Sequence, residues 1–128
     1  MTKVIATAQA PEAIGPYIQG ARVGGFIFTS GQLPINPVTG EIAGSAGGQA
    51  RQSLENIKAI IEAGGLALEH ICKVNIFVKD LNEFAEINQA YAGFFDQYKV
   101  QYPARSCVEV ARLPKDVKVE IEAVAWQG

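Results

Sequence analysis

The chain is poor in the residues that hold metals and make nucleophiles: its 128 residues include one histidine, two cysteines and one methionine. A structural zinc site takes four Cys/His-type ligands, more than His70, Cys72 and Cys107 supply, so no metal is expected. A basic excess is also missing. Eleven Lys and Arg stand against thirteen Asp and Glu, a net charge of −2, which gives nucleic acid no electrostatic footprint. No run of eighteen or more apolar residues occurs, so no membrane-spanning helix is expected. The opening "MTKVIATAQAPEAIGPY" lacks the charged-then-apolar layout of a signal peptide. The expected location is therefore the cytoplasm, with both cysteines as thiols. His70 and Cys72 stand two apart, a spacing conceivable for a Cys-His nucleophile pair, but no orienting Asn or Asp follows. The plainer reading is an exposed loop histidine and a small buried cysteine.

What is present is a core. Hydrophobic residues make up 48% of the chain, enough for one domain over residues 1–128. "VIAT" (Val4 to Thr7) reads as a first strand. Ala8 to Gly20, with Pro11, Gly15 and Pro16, reads as a loop. "FIFTSG" (Phe26 to Gly31) is aromatic and β-branched, a strand entered by Gly24-Gly25. Residues 32–48, rich in proline and glycine, predict a long irregular loop. In "QARQSLENIKAIIEAGG" the apolar Ala50, Leu54, Ile57 and Ile61 recur at helical spacing, and Gly64-Gly65 stops the helix. "CKVNIFV" alternates, so Cys72, Val74, Ile76 and Val78 are expected on one face of a strand. Asp80 and Glu83 open a second helix, whose stripe is Phe84, Ile87, Tyr91, Phe94, Phe95 and Tyr98, with Asn88 beside it. Two strands close the chain, Arg105 to Ala111 and Val117 to Ala125, separated by a turn at Leu113 to Asp116. The order β, β, helix, β, helix, β, β predicts an α+β fold with both helices on one face of a sheet.

The other face matters for function. Val117, Val119, Ile121, Ala123 and Ala125 form the apolar side of the last strand and are assigned to the helices. The opposite side mixes Lys118, Glu120, Glu122, Val124 and Trp126, and Phe26 and Phe28 share a face with Ser30. A large mixed apolar face is rarely left open to water, so a symmetric homo-oligomer packing sheet against sheet is expected. If the last two strands form a hairpin with an even turn, Arg105, Cys107 and Glu109 lie on the face of Glu120, Glu122 and Val124. Glu109 then opposes Glu120 and Arg105 opposes Val124, which leaves about 13 Å between the backbones at Arg105 and Glu120.

"AIGPYIQG", "FTSGQLP", "ARQSLENIKAI", "VNIFVKDLNEF" and "PARSCVEVARLPKDVKVEIEA", in that order, give the chain a resemblance to the RidA-type reactive intermediate deaminases (the Rid or YjgF family) over almost its whole length. The resemblance implies a chorismate-mutase-like fold and a cytoplasmic homotrimer with sheets inward, helices outward and active sites in three clefts between subunits. It implies hydrolysis of 2-imino acids or enamines, such as 2-aminoacrylate and 2-iminobutanoate, to 2-oxo acids and ammonia, without metal or organic cofactor. Residue by residue, it implies that Arg105 grips the substrate carboxylate and that Cys107 lies against the substrate through its backbone. It further implies that Glu120 manages the attacking water and that Tyr17, Ser30, Gly31 and Asn88 line the cleft.

Those residue types suit that chemistry. A guanidinium offers a carboxylate a rigid fork of donors, and a carboxylate can take a proton from water and return it to a departing nitrogen. Nothing in an imine hydrolysis needs a thiolate, so Cys107 receives a binding role only. On the residues alone, Arg105 has a structural alternative, the neutralisation of Glu109, Glu120 or Glu122 across an oligomer interface. Two other functions remain open: a non-catalytic module that captures small 2-oxo acids in the same clefts, and RNA cleavage, against which the acidic balance and lone histidine weigh.

Overall fold

The computed structural model describes residues 2–128. Among these, six strands form one mixed sheet: β1 (Lys3–Ile5), β2 (Gly20–Val23), β3 (Phe26–Thr29), β4 (Ile71–Val78), β5 (Ala104–Glu109) and β6 (Val119–Trp126). Two helices, α1 (Ala46–Ala63) and α2 (Phe84–Gln97), cover one face. The expected α+β class and its one-sided helical layer are what the chain forms.

The strand order is β1-β2-β3-β6-β4-β5. β6 is antiparallel to both β3 and β4, while β4 and β5 run parallel. β4, α2 and β5 therefore form a strand–helix–strand crossover, the connection that parallel neighbours require. The core lies between helices and sheet. Leu54, Ile57, Ile60, Ile61, Ile87, Phe94 and Phe95 meet Ile27, Val74, Ile76, Val78, Val119 and Ile121, all at most 1% exposed. Each such side chain contributes about 1.5–3 kcal/mol by burial. Gly20 lets α1 approach β2, since a Cβ there would meet Ile60 at 2.7 Å.

Several expectations need correction. β2 falls in the stretch between the predicted first loop and Gly24, and pairs with both β1 and β3. α1 begins at Ala46, earlier than the helical spacing indicates, because Ser45 caps it by accepting from the Gly48 N–H at 3.0 Å. The Gly47 N–H donates to Glu86 of α2 at 2.6 Å, a carboxylate at the positive end of a helix. Cys72 is exposed, not buried. An irregularity between Ile71 and Lys73 shifts the register there, so Ile71 takes the inward position. The long loop is held by α1, whose Asn56 amide donates to the Leu33 and Ile35 carbonyls at 3.1 and 3.0 Å.

The largest correction concerns the last two strands. They do not form a hairpin, because β4 lies between them. Leu113 to Asp116 is a turn as expected, but Lys115 and Asp116 adopt φ of 57° and 53° and carry the chain across β4. In the parallel register Arg105 stands beside Val74, Cys107 beside Ile76 and Glu109 beside Val78. Partners in register share a face, so these three point to the helix side. Glu120 stands beside Phe77 and Glu122 beside Asn75, on the open face. Arg105 and Glu120 thus lie on opposite faces of the sheet.

Candidate active site

The Arg105 side chain emerges from an edge strand and turns under α2. Phe84, Asn88 and Tyr91 recur along one stripe of that helix and enclose it. The guanidinium carbon lies 5.5 Å from the Phe84 ring centre and 4.8 Å from that of Tyr91, distances at which a cation is attracted to an aromatic face. One Arg105 nitrogen donates to the Asn88 side-chain oxygen at 2.7 Å. Among the described residues no carboxylate forms a salt bridge with Arg105. Within the chain, Glu109 accepts from the Leu81 N–H at 3.0 Å and Glu122 from Asn75 at 3.0 Å, and Glu120 lies on the other face. The guanidinium borders a groove of about 440 Å³ lined by Asn88, Tyr91, Ala92, Tyr102, Pro103 and Arg105.

Two residues beside Arg105 behave as neutral groups. Burial pushes the Tyr91 hydroxyl up to about 12 against the opposing charge of Arg105, and Tyr91 is only 4% exposed. Burial likewise raises the Cys107 thiol despite Arg105. A thiol so raised is a poor nucleophile at neutral pH, which fits a binding role.

Glu120 sits half-buried on the open face. Burial, and then the charge of Glu122, raise its carboxyl above the usual range. Gly31 packs directly against it: a Cβ at that position would displace the Glu120 carboxylate from where it stands. Ser30 precedes Gly31, and its hydroxyl donates to the Ile18 carbonyl at 2.6 Å. Tyr17 projects from the same loop, 49% exposed. Farther along the same face, beside Val124 and the end of β6, the surface is apolar, with Phe26, Phe28 and Trp126 at 42%, 46% and 51% exposure.

The expected site residues therefore fall into two groups. Arg105, Asn88 and Cys107 come together under α2. Glu120, Gly31 and Ser30 come together across the sheet, with Tyr17 on the loop that Ser30 holds. Tyr91 and Tyr102, which wall the groove, were absent from the expectation. The signal for Tyr91 was its place one turn beyond Asn88, but its apolar neighbours disguised it as core. The conceivable Cys-His pair does not form: the His70 Nδ1 accepts from the Ala67 N–H at 2.8 Å, and the Cys72 Sγ lies 3.4 Å from the Val124 carbonyl. No group of three or more His, Cys, Asp or Glu among the described residues is placed to hold a metal.

The fold and the oriented guanidinium define a small α+β protein with a groove bordered by a cation at a sheet edge. The chain belongs to the family described as endoribonuclease L-PSP, the Rid/YjgF group, whose model matches residues 7–127. It is 60% identical over 125 residues to a protein of Escherichia coli (strain K12) named 2-iminobutanoate/2-iminopropanoate deaminase, covering 98% of each. The crystal structure of E. coli TdcF with bound serine superposes with a TM-score of 0.96 at 56% identity, covering 98% of this chain and 99% of that one. The 1.2 Å crystal structure of the E. coli YjgF gene product gives the same TM-score, 0.96, at 58% identity and the same coverage of 98% and 99%.

Proposed function

We propose that the protein hydrolyses small 2-imino acids and their enamine tautomers, such as 2-iminobutanoate and 2-aminoacrylate, to 2-oxo acids and ammonia. The observation that carries this reading is Arg105: a guanidinium oriented by Asn88 and two rings, bordering a groove, with no acid of its own chain to neutralise it. The name carried by the E. coli relative supports the same substrate class.

The opposite-face geometry supports a site shared between subunits. In the homotrimer the open sheet faces meet. Arg105, Asn88 and Cys107 of one protomer then face Tyr17, Ser30, Gly31 and Glu120 of the next. Arg105 binds the substrate carboxylate and so fixes the C=N carbon in place. Glu120 takes a proton from water as the oxygen attacks the carbon of the protonated imine, and a neutral carbinolamine forms. Glu120 returns that proton to nitrogen, the C–N bond breaks as the carbinolamine hydroxyl gives its own proton back to Glu120, and the carbonyl forms while ammonia leaves, taking that last proton as ammonium. Its raised carboxyl suits both directions of transfer. The reaction balances with one water and calls for no cofactor; in this reading residues 1–128 act as one domain, in the cytoplasm. RNA cleavage is not part of this reading: the net charge is −2 and His70, the lone imidazole, is engaged in a turn.

The test couples the protein to a threonine dehydratase and follows 2-oxobutanoate. The expected result is acceleration over spontaneous hydrolysis in proportion to added protein. Saturable binding of 2-oxobutanoate with no acceleration at any protein level would leave a carboxylate-capturing module instead.

A further inference from the structure

The loop that presents Tyr17 has little regular structure of its own, yet it is fixed from two sides. Gln19, only 5% exposed, uses its whole side-chain amide. Its oxygen accepts from the Thr7 N–H at 2.6 Å, and its nitrogen lies 3.0, 3.3 and 2.7 Å from the Thr7, Ala10 and Pro11 carbonyls. A buried amide so fully satisfied rigidifies the segments it joins. From the other side, the Ser30 N–H donates to the Gln19 carbonyl at 2.8 Å, and the Ser30 hydroxyl donates to the Ile18 carbonyl at 2.6 Å. Ser30 is next to Gly31, which is the residue packed against Glu120.

From this geometry we infer that Gln19 and Ser30 are positioning residues, a two-sided latch that holds the Tyr17 loop in register with Gly31 and Glu120. Ser30 thereby tethers the loop, its one hydroxyl proton committed to the Ile18 carbonyl. Gln19 acts at greater distance, locking residues 7–11 behind the loop. The inference rests on the deaminase reading for its kinetic consequence, but its structural content stands apart.

The experiment is a double-mutant cycle on the full chain, read by turnover and by amide exchange at Tyr17, whose N–H donates to the Gly15 carbonyl at 2.8 Å. Ser30→Ala is expected to speed exchange at Tyr17 about tenfold and to lower kcat about tenfold, leaving β6 amides unchanged. In a Tyr17→Phe background the same change costs less than about twofold, because the latch has only that side chain to place. Ser30→Thr, which keeps the hydroxyl, restores both readouts. Gln19→Leu reproduces the exchange effect, and if it fails to fold, the Ser30 series decides. Unchanged exchange at Tyr17, or effects of Ser30→Ala and Tyr17→Phe that simply multiply, overturn the inference. If the unaltered protein does not deaminate at all, the proposed function falls, and the latch is decided by exchange alone.

Discussion

The two faces of the sheet prepare their polar residues differently. Under α2, Arg105 is held by contacts within one chain: two aromatic rings, an amide oxygen and a shared strand register. On the open face, Glu120 is placed beside Gly31 and Phe77, with a second acid, Glu122, acting on it. One half is a guanidinium already oriented within its own chain. The other is a carboxylate whose surroundings another protomer completes in the proposed trimer. The difference teaches that charge alone does not define a site here. The face on which each charge emerges decides whether one chain can use both.

The predictions probe that contrast, beginning with the largest effect. Arg105→Ala removes the anion receptor and is expected to lower kcat/KM about a hundredfold or more, since charged hydrogen-bonded contacts are worth about 2–5 kcal/mol. Oligomer size on a sizing column stays unchanged, and a change there would return Arg105 to a structural role. Glu120→Gln is expected to lower kcat about a hundredfold while stabilising the fold near neutral pH. The sign follows from its raised carboxyl. Between the ordinary and the raised value the native state binds more protons than the unfolded state, so stability falls as pH rises through that window. The glutamine removes this loss, and thermal melts at pH 4 and pH 7 check it: the variant gains at pH 7 and little at pH 4. Asn88→Ala frees Arg105 to turn and is expected to raise KM about fivefold with little change in kcat, for the loss of about 1 kcal/mol of hydrogen bond. Cys107→Ala gives the smallest effect, less than about threefold in kcat/KM. A complete loss there would demand a thiolate that burial disfavours.

Most of the fold was legible from periodicity. The stripes of α1 and α2 and the alternation of β4 and β6 identify the core, because their inward residues are mostly apolar, with Gln49, Ser53 and Asn56 of α1 the buried polar exceptions. β2 escaped because Gly-Ala-Arg-Val is four residues long and carries glycine and a charge on its inward face. Its Arg22 reaches the Gly64 carbonyl at the end of α1, at 2.6 Å. The pairing of β5 was misread for a different reason. A turn between consecutive strands favours a hairpin, but the strand–helix–strand sequence of β4, α2 and β5 favours parallel neighbours, and the second preference won. That competing signal stands in the sequence, and following it places Arg105 beside Val74. Resemblance alone assigns Arg105, Asn88, Cys107, Gly31 and Glu120 to a common site. Their division between two faces came only from strand order.

The most direct test mixes two inactive chains. Arg105→Ala and Glu120→Gln protomers, co-expressed with different tags and purified as mixed oligomers, are assayed for imine hydrolysis. If each site takes its guanidinium from one protomer and its carboxylate from the next, every mixed trimer regains one site in three, and activity returns to about a third of that of the unaltered protein. Mixed oligomers as inactive as either parent would show that one chain must supply both groups, and would contradict the account.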